Sequence, residues 1–147
     1  MSDAPIMGGR DDDVQVLRIP FTNGGPASPL RHASRDALTR ELPGCTDDLV
    51  ADALLVISEL VQNVSQHTRS DGELVLSIAG GVVLIEVHDD DPAAPRLRHP
   101  DGLQAGGRGL LLVEGMADNW GVRRLDTGKT VWARLPLAMA GGTLTPA

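Results

Sequence analysis

The chain has 147 residues, enough for one domain, and its 41% hydrophobic content is sufficient for a packed core. Thirteen Lys and Arg against twenty Asp and Glu give a formal net charge of −7, and Phe21, Trp120 and Trp132 are the only aromatic residues. Because this charge repels phosphate backbones and stacking rings are scarce, the composition argues against binding of nucleic acid or of an anionic membrane.

The first half of the chain predicts one strand and two helices. The segment Val14–Ile19 is rich in β-branched residues and predicts a strand. Apolar residues at helical spacing predict a helix from about Ser28 to Leu42. Thr46 is a natural N-cap for a second helix, whose apolar face extends to about His67.

The second half predicts four strands, a helix and a long loop. Two apolar runs joined by Gly80-Gly81 are typical of a hairpin. A polar stretch of about twenty residues without periodicity is typical of a functional loop or lid. The expected elements are strands over 74–78 and 82–87, the loop over 89–109, a helix over 109–118, and strands over 120–125 and 129–135.

Helices in this order are grouped around hairpin-connected strands and do not alternate with them. The order predicts an α+β fold, a two-layer sandwich in which helices cover one face of a mixed, mostly antiparallel sheet. We expect a flexible N-terminal tail over 1–13, one domain over 14–137 and a flexible C-terminal tail over 138–147. The single Cys45, with no signal pattern and no membrane-spanning apolar run, favours a cytoplasmic protein.

Three polar residues recur at intervals of four on the second predicted helix, namely Glu59, Asn63 and His67. At the helical repeat their side chains project within about 80° of one another, and we expect them opposite the apolar stripe. A carboxylate, an amide and an imidazole in a row can hold hydrated Mg²⁺ and polarise a nucleophile. The alternative is a solvated polar helix face.

A run of carboxylates follows an apolar strand at Asp89-Asp90-Asp91. A carboxylate at a strand end beside a loop can accept a hydrogen bond from an exocyclic amine. The alternative is a solvated turn that uses Asp for its turn propensity.

Glycines cluster at Gly106-Gly107-Arg108-Gly109, immediately before the apolar run that begins at Leu110. Glycines allow backbone N–H groups to approach an anion closely, and a helix start adds a positive dipole end. Arg108 adds a fixed positive charge. This segment therefore predicts a phosphate-binding loop, with a flexible linker as the alternative.

These three features, in this order, resemble the Bergerat ATP-binding fold of the gyrase, heat-shock chaperone, histidine kinase and mismatch-repair (GHKL) superfamily. The stretches from Glu59 to His67, from Gly107 to Val113 and from Gly128 to Trp132 are similar to the branch of anti-sigma-factor serine/threonine kinases, as found in actinobacterial regulators. The resemblance covers about residues 14–137.

The resemblance implies a role for each matching residue. Asn63 would hold Mg²⁺ against the nucleotide phosphates, and Glu59 would be the catalytic base. Asp89, which we favour over Asp90 and Asp91 because it is nearest the strand end, would accept a hydrogen bond from the adenine amine. The further nucleotide-binding residues would be His67, Gly106, Gly107, Arg108, Gly109, Leu110 and Thr130.

The chain departs from the superfamily at one motif. Where the superfamily has Asp-x-Gly-x-Gly, this chain has Asp89-Asp90-Asp91-Pro92-Ala93, without a glycine. The segment from about Ala93 to Ala105 would be the ATP lid.

The resemblance implies a protein kinase that uses ATP and Mg²⁺, binds a sigma factor and phosphorylates an anti-anti-sigma antagonist of the STAS type. A homodimer is compatible with it, and direct contact with nucleic acid or membrane is not expected. The alternative functions are a nucleotide-responsive protein-binding regulator without kinase activity, and a small α+β interaction domain without a ligand.

Overall fold

A computed structural model describes residues 13–67, 71–90 and 113–137. The elements are β1 (Asp13–Phe21), α1 (Ser28–Glu41), α2 (Asp47–His67), β2 (Gly72–Ala79), β3 (Val82–Asp89), β4 (Asn119–Leu125) and β5 (Gly128–Pro136). Each of these elements was predicted from the sequence. Asp13, assigned to the N-terminal tail, is the first residue of β1. Of the helix predicted over 109–118, the described part is a helical turn at residues 113–116.

The five strands form one sheet in the order β1-β2-β3-β5-β4, and all four pairings are antiparallel. The β2–β3 hairpin turns at Gly80 and Gly81, whose φ angles of 43° and 92° lie in the region that glycine adopts without a steric cost. The α+β class is confirmed. The sheet was expected to be mixed and mostly antiparallel, and all four pairings of the described strands are antiparallel.

The core lies between α2 and one face of the sheet. Thr46 caps α2, because its Oγ1 accepts a hydrogen bond from the Leu49 backbone N–H at 3.1 Å. Alternate residues of the central strands pack against the apolar side of the helix in one buried cluster: Val83, Ile85 and Val87 of β3, Val131, Ala133 and Leu135 of β5, and Ala53, Ile57, Leu60 and Val64 of α2. Leu84 and Trp132 form a small second cluster on the opposite face.

Of the predicted site residues, Asp89 and those near the C-terminal end of α2 lie toward one end of the sheet. β3 ends at Asp89, which pairs with Gly72 at the start of β2 and with Lys129 near the start of β5. Residues 68–71 alone connect His67, the last residue of α2, to Gly72, so the C-terminal end of α2 lies at this same end. In the described ranges, no helix is both long and apolar enough to cross a membrane.

Candidate functional site

Asn63 is a buried polar residue on α2. Only 4% of it is exposed, and its Oδ1 atom is buried without a hydrogen-bond partner in the described part of the chain. The expectation that Asn63 lies opposite the apolar stripe is wrong, as is the alternative of a solvated face, because its helix neighbours Leu60 and Val64 are core residues. A buried amide oxygen without a partner is costly, and it is a suitable ligand for a hard cation.

Glu59 lies one helical turn before Asn63 and is partly buried. The spacing of four places both residues on one side of α2, as the sequence predicted. His67 is the last residue of α2, and the structure describes its backbone but not its side chain. The helix therefore brings together an accessible carboxylate and a buried amide oxygen.

Asp89 and Lys129 form a buried ion pair at the junction of β3 and β5. The Lys129 Nζ atom lies 3.1 Å from Asp89 Oδ2 and donates to Oδ1 at 3.4 Å. The side chains are 3% and 0% exposed, respectively. Because two isolated charges could not be buried at acceptable cost, each compensates the charge of the other.

Gly128 brings the backbones of β5 and β3 close together at this pair. A Cβ atom at position 128 would overlap the Asp89 carbonyl group and lie 2.9 Å from the Asp90 Cα atom. Real side chains do not tolerate such contacts, so only glycine fits at position 128. The close approach fixes Lys129 against Asp89.

The other carboxylates of the run differ from Asp89 in their environment. Asp90 is exposed just after the end of β3, and Asp91 lies outside the described residues. Of the two described carboxylates, Asp89 is the one at a buried strand end, where the sequence analysis placed the base-binding acceptor. The predicted phosphate-binding residues Gly106, Gly107, Arg108, Gly109 and Leu110 also lie outside the described residues.

The structure places Thr130 on the opposite face of the sheet from Asp89. Its Oγ1 shares a 2.6 Å hydrogen bond with Nδ1 of His88, while Asp89 faces Lys129. Since side chains alternate along a strand, Thr130 and Asp89 lie on different faces, and the assignment of Thr130 to the nucleotide site stays a prediction. Lys129 occupies the position on the core face.

His88 lies beside Thr130 on this outer face, and its pKa is lowered from 6.5 mainly because the ring is buried. Arg123 and Arg18 lower the pKa further, while Glu73 and Asp89 raise it. The imidazole is therefore neutral at neutral pH.

Among the described residues around Asp89, Lys129 is one that sequence reasoning did not assign to the candidate site. The signal was available: in a strand running from Lys129 to Leu135, odd positions carry the apolar residues Val131, Ala133 and Leu135, which predicts that Lys129 faces the core. Its partner could not be predicted, because the partner depends on the pairing of β5 with β3.

The sequence profile of the histidine kinase-like ATPase domain matches residues 26–135. No curated protein matches the chain. Among solved structures, the RsbU and RsbW domains of Rv1364c from Mycobacterium tuberculosis align with a TM-score of 0.60 and 21% identity, over 82% of this chain and 32% of the other. The histidine kinase domain of the Erythrobacter litoralis EL346 blue-light activated histidine kinase aligns with a TM-score of 0.55 and 21% identity, over 93% of this chain and 69% of the other.

Proposed function

Because the chain belongs to the histidine kinase-like ATPase domain family, we propose that it binds Mg·ATP and transfers the γ-phosphoryl group to a protein hydroxyl. The observation that carries this proposal is the buried Oδ1 of Asn63, which has no hydrogen-bond partner in the described residues and lies one turn after Glu59. A buried acceptor of this kind is retained at a cost to stability, which a ligand would offset.

The residues present fit a magnesium ion carried by the nucleotide. Mg²⁺ prefers oxygen ligands and keeps several waters, so one amide oxygen together with phosphate oxygens suits it. Mg²⁺, when bound, neutralises charge on the phosphates. Asn63 would supply the protein ligand, and its burial beside Leu60 and Val64 would fix the direction of that ligand.

Glu59 would act as the general base. Its carboxylate would accept the proton of the attacking serine or threonine hydroxyl as the hydroxyl oxygen bonds to the γ-phosphorus. The bond from the γ-phosphorus to the bridging oxygen would break, and ADP would leave with the electron pair. Partial exposure suits this role, because the proton must come from an incoming protein.

Asp89 would recognise the base, accepting a hydrogen bond from the 6-amino group of adenine. The Gly106–Leu110 segment would supply backbone N–H groups to the phosphates, as the sequence predicts. The negative charge of the chain is compatible with one nucleotide, because the ion and local N–H groups supply the positive field.

The protein partners follow from the resemblance of the sequence to anti-sigma-factor kinases. We propose a sigma factor as the bound partner and a STAS-type antagonist as the substrate. The structural match to a mycobacterial chain with an RsbW domain supports the fold behind this proposal, although this chain spans about a third, 32%, of that chain's length. A nucleotide-responsive regulator without kinase activity is the second candidate, favoured by the lack of glycine in the motif Asp89-Asp90-Asp91-Pro92-Ala93.

A phosphotransfer assay separates the two candidates. The purified chain is incubated with γ-labelled ATP, Mg²⁺ and STAS-domain proteins from the same organism. We expect label on one antagonist, and a loss of about a hundredfold or more in rate for Glu59→Gln, which keeps the shape of the side chain but cannot accept the proton. Undiminished transfer by Glu59→Gln contradicts the assigned base. Saturable ATP binding without transfer to any antagonist supports the second candidate.

A further inference from the structure

The buried ion pair places a hydrogen-bond donor beside an acceptor at the predicted base-binding position. The Lys129 ammonium lies 3.1 Å from the Asp89 carboxylate, and both side chains are almost completely buried. An ammonium carries three N–H donors and a carboxylate carries several lone pairs, so their mutual contact alone does not use all the hydrogen-bonding positions of either group. A base edge that reaches this pair meets both groups together.

We propose that Lys129 is a second base-recognition residue, which donates a hydrogen bond to N1 of adenine while Asp89 accepts one from the 6-amino group. This inference rests on the proposed function, since it concerns the same nucleotide site. The edge of adenine presents a donor, the 6-amino group, next to an acceptor, N1. The pair formed by Asp89 and Lys129 presents the complementary order of acceptor and donor.

The strand pairing explains why Lys129 of β5, and not Arg124 of β4, lies beside the Asp89 carboxylate. Lys129 is paired directly with Asp89 and shares its face, whereas Arg124 pairs with Lys129 from β4 and is exposed. Gly128 permits the close approach of β5 to the Asp89 backbone. The backbone next to Lys129 therefore lies close to the Asp89 backbone, which limits where the flexible side chain can place its ammonium.

The pair also predicts discrimination against 6-oxopurines. In the same pose, hypoxanthine would present O6 to the Asp89 carboxylate and its N1–H to the Lys129 ammonium. Both contacts would then be mismatched in a buried site, where an unpaired or opposed polar group is most costly. We expect ITP to bind at least about a hundredfold more weakly than ATP.

The test compares Mg·ATP with Mg·1-deaza-ATP, in which N1 is replaced by C–H. Affinities are measured by calorimetry for the wild-type chain, for Lys129→Met and for the matched control Arg124→Met. We expect 1-deaza-ATP to bind the wild type and Arg124→Met at least about tenfold more weakly than ATP. In Lys129→Met the two nucleotides should bind equally, within about twofold, because the donor is absent.

Two results would overturn the inference while leaving the proposed function intact. One is equal binding of ATP and 1-deaza-ATP by the wild type. The other is an unchanged preference for ATP over 1-deaza-ATP in Lys129→Met. That result is expected if the ion pair only joins β3 to β5 and does not contact the base. If no nucleotide binds the wild type, the inference and the proposed function both fail.

A second variant covers the case in which Lys129→Met does not fold because the Asp89 charge is left buried alone. Asp89→Asn/Lys129→Met removes both charges while keeping similar side-chain volumes. Its folding is checked by circular dichroism, and its ATP to 1-deaza-ATP ratio is read in the same way. An affinity ratio near one in the double variant supports the inference. A ratio equal to that of the wild type overturns it.

Discussion

The Lys129 ammonium and the Asp89 carboxylate meet across β5 and β3 with a Nζ–Oδ2 distance of 3.1 Å, at a point where both side chains are buried. Breaking such a pair is more costly than removing it, because one charge is left in a dry environment. The chain contains a contrasting pair, Arg18 and Glu73 on β1 and β2, whose side chains are 50% and 33% exposed. The two pairs should therefore respond differently to substitution.

Lys129→Met should destabilise the protein by about 3–5 kcal/mol, since Asp89 would lose its buried counter-charge. Asp89→Asn/Lys129→Met should recover most of this loss, and Arg18→Met should cost about 1 kcal/mol or less, as exposed pairs do. Urea unfolding of the four proteins measures these differences. A double variant less stable than Lys129→Met would contradict the interpretation of the pair.

Asn63→Ala should change the stability of the nucleotide-free protein by less than about 1 kcal/mol, because the lost amide includes a buried oxygen without a partner in the described residues. The matched control is Ser34→Ala on α1, which removes another buried oxygen without a partner there. Both variants should unfold close to the wild type in urea, but only Asn63→Ala should lose the stabilisation that Mg·ATP gives. A large loss of stability in Asn63→Ala without nucleotide would indicate a purely structural amide.

Gly128→Ala should destabilise the protein by about 3 kcal/mol or more, since its Cβ atom would overlap the Asp89 carbonyl group. Gly44→Ala is the control, because a Cβ atom at position 44 meets nothing within 4 Å. The midpoint of urea unfolding measures both changes. Equal midpoints for the two variants would show that β5 can move away from β3 at little cost.

The stability of the protein should fall as the pH drops below about 6.5, because burial lowers the pKa of His88 in the folded state. The unfolded chain then takes up a proton that the folded chain binds less readily, so protons favour unfolding. Urea midpoints at about pH 7.5 and about pH 5.5 measure the effect.

His88→Gln should reduce this pH dependence, whereas His32→Gln, at an exposed position on α1, should leave it unchanged. If His88→Gln leaves the change of the urea midpoint with pH unaltered, other groups cause the effect. The charges that act on His88 are Glu73 and Asp89, which raise its pKa, and Arg123 and Arg18, which lower it.

Local patterns were sufficient to predict the elements of the fold. The Thr46 cap, the helical spacing after it and the Gly80-Gly81 turn each act over a few residues, and the structure contains all three. The paired carboxylate and amide of Glu59 and Asn63 also follow from spacing along one helix. These features depend on neighbours in the chain, which the sequence displays directly.

The contacts between distant strands could not be predicted in this way. Thr130 and Lys129 are adjacent, and only the pairing of β5 with β3 shows that Lys129 faces Asp89 while Thr130 faces His88. The burial of Asn63 depends likewise on how α2 packs on the sheet. A polar residue four positions from Glu59 has the same spacing whether it faces solvent or the core.

Calorimetric titration of the wild-type chain with Mg·ATP, beside Asn63→Ala, tests the central claim most directly. We predict saturable binding at one site per chain, weakened at least about tenfold in Asn63→Ala, with both proteins folded before nucleotide is added. No binding by the folded wild type at millimolar nucleotide, or equal binding by Asn63→Ala, would contradict the assignment of this sheet end as a magnesium–ATP site.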